Sequence, residues 1–114
     1  MKKILFFLFI GFLSFSNEYY GAIAIDRNTG ATGYSYDYSS RYSAESAALN
    51  YCGQNCEIAL WFSNTCAAVA YSYQNGSYGW SWGSDSRSNE RKALANCNGN
   101  DCQVVSSVCT TRYY

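Results

Sequence analysis

The sequence has no histidine and no proline, a single methionine and little charge, since Asp, Glu, Lys and Arg make up 14% of its 114 residues. Without histidine, a serine nucleophile lacks its usual general base and a zinc site lacks a common nitrogen ligand. Without proline, no rigid linker marks a boundary between domains. These absences disfavour the common hydrolase and zinc chemistries and favour a single domain.

Positive charge is also scarce. The chain carries 8 basic and 8 acidic residues, but Lys2 and Lys3 belong to an N-terminal segment treated below, which leaves six basic against eight acidic residues. Arg91-Lys92 is the one basic pair in the remainder. Proteins that bind nucleic acid carry a concentrated positive surface. We therefore expect neither nucleic acid nor an anionic membrane surface as a partner.

The N-terminal segment has the pattern of a signal peptide. Its apolar stretch, Ile4–Leu13, is shorter than the roughly 20 residues of a membrane-spanning helix. Ser14 and Ser16 then supply the small side chains that precede a signal-peptidase cut. We predict a signal peptide over residues 1–16 and a single exported domain over residues 17–114, periplasmic or extracellular. A retained membrane anchor is the alternative.

The rest of the chain is a duplication of about 46 residues, with units at 19–65 and 66–109. Gly33-Tyr34-Ser35-Tyr36 reappears as Gly79-Trp80-Ser81-Trp82, and the segment 45–52 reappears as 90–97. The first match has an offset of 46 residues and the second an offset of 45. A repeat of this length is one supersecondary unit that cannot bury its apolar face alone, so the two units are expected to fuse into one domain.

Alternating apolar residues predict strands, and a switch to helical spacing predicts one helix in each unit. The fold class is α+β, a tandem strand-strand-helix-strand unit stabilised by disulfides. Ser40 is expected to cap the first helix and Gly53 to end it, with Asp85 or Ser86 as the second cap. Asn75-Gly76 predicts a two-residue hairpin turn with positive φ at both positions. The predicted strands are 19–25, 31–38, 56–62, 66–73, 77–82 and 102–109, and the predicted helices are 41–52 and 87–97.

Six cysteines occur in the predicted exported part, and in an oxidising compartment an even number indicates disulfides. Each helix ends at a cysteine that is followed closely by another at the start of the next strand. This spacing favours three bridges, Cys52–Cys56, Cys97–Cys102 and, by remainder, Cys66–Cys109. The two short pairs also resemble zinc-knuckle spacing, which the lack of histidine disfavours. No cofactor or metal is expected.

Each unit contains three aromatic residues at alternate positions of one predicted strand, and these two triplets could belong either to the surface or to the core. We interpret them as core that packs beneath the alanine-rich helices, with exposed rings that stack on a ligand as the alternative. Trp61 differs, because it points away from the apolar face of its strand and is the candidate contact residue. The triplets are Tyr34, Tyr36, Tyr38 and Tyr78, Trp80, Trp82.

Glu45 and Glu90 occupy equivalent positions in the two predicted helices. Paired carboxylates carry out glycoside hydrolysis, but we interpret these two as first-turn residues that offset the positive end of each helix dipole. A Ser–Lys pair with Lys92 stays open, although no serine motif points to one. We therefore expect a protein that is not an enzyme and has no catalytic residues.

Five motifs occur in order along the chain: Tyr20-Gly21-Ala22-Ile23-Ala24, Gly33-Tyr34-Ser35-Tyr36, Ala47-Ala48-Leu49 with Cys52, Cys66-Ala67-Ala68-Val69-Ala70 and Gly79-Trp80-Ser81-Trp82-Gly83. This ordered set resembles the bacterial exported family catalogued as domain of unknown function 4189. The resemblance implies a small, secreted or periplasmic, cysteine-containing domain and brings no catalytic residues. We expect a non-catalytic interaction module that binds a protein, with an inhibitor or immunity-type role, and the alternatives are a cell-wall glycan-binding module and, third, a hydrolase.

Overall fold

A computed structural model describes residues 18–111. The predicted signal peptide and its cleavage site lie outside the described residues. The observed elements agree with the predicted ones to within one or two residues at most ends. They are β1 (Tyr20–Ile25), β2 (Thr32–Tyr38), α1 (Arg41–Cys52), β3 (Glu57–Ser63), β4 (Cys66–Tyr71), β5 (Tyr78–Gly83), α2 (Ser86–Asn96) and β6 (Gln103–Cys109).

Within residues 18–111 the strands form two antiparallel sheets, and the α+β prediction with a repeated unit is confirmed. Each sheet has three strands, in the order β2-β1-β3 and β5-β4-β6. The first strand of each unit is therefore central, and the two that follow it are edges. Ala22 of β1 pairs with Ser35 on one side and Trp61 on the other. Ala68 of β4 has the equivalent position, between Ser81 and Ser107.

The sheets and helices stack in four layers, with the helices outside. Each helix packs through alanines on alanines of its central strand, as Ala44 and Ala48 of α1 do on β1. The other faces of the two sheets meet and form the main core, because a sheet with one face under a helix must bury the second face elsewhere. That core contains Ile23, Ile25, Leu60, Phe62, Ala67, Val69 and Tyr71.

The helices approach the sheets so closely that glycine is required beneath them. A Cβ added to Gly33 would lie 2.4 Å from the Ala48 carbonyl oxygen and 2.4 Å from the Cys52 nitrogen. A Cβ added to Gly79 would lie 2.4 Å from the Ala93 carbonyl oxygen. Both neighbours are helix backbone, which cannot rotate away as a side chain can. The glycines therefore set the helix-to-sheet distance in both units.

The ends of the helices follow the predicted capping. The Ser40 side chain accepts a hydrogen bond from the Ser43 amide, and Asp85 accepts from the Arg87 and Ser88 amides. Gly53 ends α1 with a φ of 125°. The Ser40 and Asp85 side chains each satisfy amide donors that the first turn of a helix leaves free.

The hairpin between β4 and β5 is longer than predicted. The Ser72 amide donates a hydrogen bond to the Ser77 carbonyl, and the Gly76 amide donates one to the Ser72 carbonyl at 2.9 Å. Of the two turn positions, Gly76 alone has a positive φ, 77°, so the two-residue turn was wrong. Asn75 instead uses its side chain, which accepts from the Ser77 amide and donates to the Asn98 carbonyl.

The structure contains three disulfides, and they join the same pairs that the spacing suggested. Cys52–Cys56 and Cys97–Cys102 each tie a helix end to the start of the next strand. Cys66–Cys109 joins residues that are direct partners on the neighbouring strands β4 and β6. The last bridge closes the longest loop, with a sequence separation of 43 residues.

Candidate binding surface

Four of the six triplet rings are exposed and do not lie beneath the helices, so the interpretation of the triplets as core was wrong for them. Tyr34 is 50% exposed and Tyr36 45%, while Trp80 is 43% and Trp82 61% exposed. The positions beneath the helix belong to the small residues of the same strand. Ser35 lies there and donates a 2.6 Å hydrogen bond to the Ala44 carbonyl. Because an alanine-lined helix leaves room for glycine and serine, the large rings take the opposite side of the strand.

The third ring of each triplet departs from its neighbours. A bulge in β2, with Asp37 at a φ of 64°, turns Tyr38 to the helix side, where it packs against the alanine cluster. Tyr78 is half-buried against the core, and its hydroxyl donates to the Glu57 carboxylate at 3.0 Å. Burial and then this hydrogen bond raise the pKa of the Tyr78 hydroxyl. Two rings of each triplet therefore remain available for contact.

Three tryptophans converge on one groove, which we name the tryptophan groove. It has a volume of about 530 Å³ and runs beside the edge strand β3. Trp61 comes from the first unit, and Trp80 and Trp82 come from the second. Sequence reasoning missed the last two as contact residues because it assigned them to the core. The lining residues are Ala59, Leu60, Trp61, Phe62, Ser63, Trp80 and Trp82.

Trp61 has the exposure that its position in the strand predicts. It is 40% exposed, on the face that β3 shares with Ala22. Its ring lies 6.2 Å from the Tyr20 ring, and the Arg41 guanidinium lies 4.6 Å from its centroid. A cation over an aromatic face holds that face in place. The role of Trp61 in binding stays a prediction.

A second concave surface, the tyrosine trough, follows the outer edge of β2. Its volume is about 490 Å³. Tyr34 and Tyr36 form one wall, with ring centroids 6.4 Å apart and planes inclined by 22°. Tyr38 and Tyr51 also line it, and Tyr51 projects from α1 with 71% of its surface exposed. β2 and β3 are opposite edges of one sheet, so the trough and the tryptophan groove are separate.

The two glutamates are not in the first turns, so their predicted position was wrong. Each is the fifth residue of its helix, and neither first turn contains an acidic residue. Glu45 accepts a 2.9 Å hydrogen bond from the Arg41 Nε atom one turn earlier. The carboxylate at the start of α2 belongs to the cap residue Asp85 instead.

Replacing both carboxylates tests whether they are catalytic. We expect Glu45→Gln and Glu90→Gln to lower the free energy of unfolding by at most about 0.5 kcal/mol each, because Glu45 takes part in one surface ion pair, with Arg41, and Glu90 takes part in none within residues 18–111. Binding to a partner should be unchanged in Glu90→Gln. Chemical denaturation measures the first quantity, with Arg41→Gln as the matched control for the ion pair. A hydrolytic activity that disappears in either variant while stability is kept would contradict a non-catalytic role.

Residues 18–111 were also compared with the requirements of a metal site and of a membrane-spanning helix. All six cysteines are in disulfides. Within residues 18–111, no group of three or more Cys, Asp or Glu side chains could hold a metal ion. Neither helix found in that range is long and apolar enough to cross a membrane.

Comparison with known proteins gives one match. The family model described as Domain of unknown function (DUF4189) matches residues 20–109, which is 90 of the 114 positions. No curated protein and no solved structure matches the chain. The matched range begins at the first residue of β1 and ends at the last residue of β6. The family model thus covers the whole duplicated fold.

Proposed function

Because the chain belongs to the family Domain of unknown function (DUF4189), which carries no assigned activity, its function must be argued from its own surface; we propose that it is a non-catalytic module that binds a protein partner through the tryptophan groove.

The observation that carries this proposal is the convergence of three partly exposed tryptophans on one groove. Trp61, Trp80 and Trp82 are each at least 40% exposed. Tryptophan is the residue most enriched among those that dominate binding energy at protein interfaces, where it works from a concave, well-packed centre. Arg41, stacked on Trp61, adds a second residue type that is enriched there. A groove lined by these side chains favours the binding of an apolar side chain of a partner protein.

The proposed site of action is outside the cytoplasm. Three disulfides require an oxidising compartment in most organisms, and the N-terminal pattern favours export. The partner is then an envelope or extracellular protein. An inhibitor or immunity-type role fits a small domain whose bridges hold both sheets and helices rigid, since a preformed surface loses little entropy on binding.

A cell-wall glycan is the second candidate ligand, and the exposure of the triplets favours it. Trp80 and Trp82 are two positions apart on β5, which places successive rings roughly 7 Å apart along one face. Such a row combines flat apolar area with polar edges, as stacking on sugar rings requires. The same row serves a protein, so the two candidates differ in ligand rather than in site.

Truncating the tryptophans tests the site. We expect Trp80→Ala and Trp61→Ala each to weaken partner binding by roughly 30-fold or more, the effect of removing an interface anchor of about 2 kcal/mol. Stability should change little, because both side chains are partly exposed. Tyr42→Ala, on α1 and 79% exposed, is the matched control and should bind normally.

The measurement compares pull-down from envelope extract with sedimentation on purified peptidoglycan. A protein retained by the wild type and by Tyr42→Ala, but lost with Trp80→Ala, supports the proposal. The same pattern on peptidoglycan supports the glycan candidate instead. If the tryptophan variants bind like the wild type in both assays, the groove is not the binding site. A large loss of stability in Trp61→Ala would show a structural role for that ring.

A further inference from the structure

The outer edge of β2 carries backbone hydrogen-bonding groups that no other strand within residues 18–111 pairs with. In an antiparallel pair, alternate residues direct their N–H and C=O groups toward the partner strand, and the others direct them away. The Asp26 amide donates to the Ala31 carbonyl at 2.9 Å, which places Gly33 and Ser35 among the inward residues. Thr32 and Tyr34 therefore direct their backbone groups outward, away from β1.

The equivalent edge in the second unit is closed by a side chain. There the Ser72 amide donates to the Ser77 carbonyl, which fixes the same alternation and turns Trp80 outward. The Asn96 side-chain amide donates to the Trp80 carbonyl at 3.1 Å. An amide on an edge carbonyl blocks the approach of another strand, one of the ways in which proteins protect sheet edges.

The first unit lacks this protection. The residue that corresponds to Asn96 is Tyr51, at the offset of 45 residues. Across residues 18–111, no side chain donates a hydrogen bond to the Tyr34 carbonyl, the counterpart of the Trp80 carbonyl. The rings of the tyrosine trough flank the open backbone instead. Outward amides and carbonyls between aromatic walls form a receptor for an extended strand.

We propose that β2 pairs antiparallel with β2 of a second copy of this chain, with the twofold axis at Tyr34. The outward groups are self-complementary in this register, because Tyr34 faces Tyr34 of the other copy and Thr32 faces Tyr36. Two sheets then join into one continuous sheet of six strands. The Tyr34 rings become a direct cross-strand aromatic pair, a favourable arrangement on a sheet face.

The charge of the edge agrees with this register. Asp37 is the one charged residue in β2 and lies three positions from the axis. The two Asp37 carboxylates of a pair are then about 20 Å apart along the strands and do not repel strongly. Each Asp37 is already held by the Thr111 amide and hydroxyl of its own copy. Since both copies use the same edge, assembly stops at two.

Sedimentation of the disulfide-bonded protein over a wide concentration range tests the pair. We expect a reversible monomer–dimer equilibrium for the wild type. Tyr34→Lys places two ammonium groups on the axis and should weaken the dimer at least tenfold, while Tyr42→Lys adds the same charge to exposed α1 and should not. Tyr51→Asn, which copies the closed edge, should also weaken it. A wild type that stays monomeric, or a Tyr34→Lys protein that stays dimeric, overturns the proposal.

Hydrogen exchange of the wild type locates the interface without any substitution. In the dimer the Thr32 and Tyr34 amides are hydrogen-bonded, so their exchange should slow as the concentration rises. Concentration-independent fast exchange at both amides overturns the proposal, even if a dimer forms elsewhere. The tryptophan groove lies on the opposite edge of the sheet and stays open in this dimer. The proposal therefore stands or falls independently of the ligand of that groove.

Discussion

Gly33→Ala and Gly79→Ala are each expected to lower the free energy of unfolding by about 3 kcal/mol, the upper part of the range for overpacked cores. The added methyl group would meet helix backbone at 2.4 Å in both units. The helix cannot move away easily, because Cys52 and Cys97, which lie at these contacts, are bonded to the strands that follow. A domain of this size has a total stability of about 5–15 kcal/mol, so the loss is large.

Denaturant unfolding measures the loss in the free energy of unfolding, with the same m-value, the dependence of that free energy on denaturant concentration, used for all variants. Thr32→Ala is the control, since it changes the neighbouring residue of the same strand without placing an atom under the helix. The two glycine variants should give similar losses, because the duplicated units have the same geometry at this point. A loss below about 1 kcal/mol in both variants would show that the helices shift readily and that glycine does not set the layer spacing.

Removal of the Cys66–Cys109 bridge has the second large expected effect. The entropy of the closed loop predicts a loss of about 4 kcal/mol for a separation of this length, against about 2 kcal/mol for Cys97–Cys102. The separations are 43 and 5 residues. Cys66 is also buried, at 1% exposure, so a truncated side chain leaves unfilled space beside the main core.

The comparison uses two double variants, Cys66→Ala/Cys109→Ala and Cys97→Ala/Cys102→Ala. Thermal unfolding of both proteins, purified with the remaining bridges intact, gives the two losses. We expect the first variant to unfold at the lower temperature. Equal losses, or a larger loss for the short bridge, would mean that local strain or packing at the bridge outweighs the length of the loop that it closes.

The fold was accessible from sequence because its signals repeat. Two copies of each strand and helix pattern fixed the element order, and the short cysteine spacings left one partner for Cys66. The ends were less certain, as α2 shows, because it begins at Ser86, one residue before the predicted start, and this moves Glu90 into the second turn. The helix α1 begins at Arg41 as predicted, so Glu45 is its fifth residue on the predicted bounds as well, and its assignment to the first turn was a miscount.

The position of the aromatic triplets was not accessible in the same way. Strand alternation shows that Tyr34 and Tyr36 share a face but does not say which face lies under a helix. The useful signal was the glycine directly before Tyr34, since Gly33 marks the point at which a helix backbone approaches the strand. An alternation of glycine or serine with large rings therefore indicates rings on the outside.

The tryptophan groove could not be predicted at all from local patterns. Trp61 belongs to β3 and Trp80 to β5, in different units and different sheets. They meet because the two sheets pack face to face in a particular relative position. That position depends on how the side chains of Leu60, Phe62 and Val69 interlock, which no local pattern records.

The four-layer stack makes each unit half of a molecule. Alone, the first unit would expose the apolar face of its sheet to water. That face contains Ile23, Ile25, Leu60 and Phe62, and the apolar face of the second unit covers it. Because Asn64 and Thr65 join the two units covalently, the second sheet is always present at high effective concentration, and the packing of the two sheets becomes part of the folding of one chain. It also releases the halves from having to stay alike. The equivalent positions of the two units now carry different residues, such as Tyr51 and Asn96, or Tyr36 and Trp82.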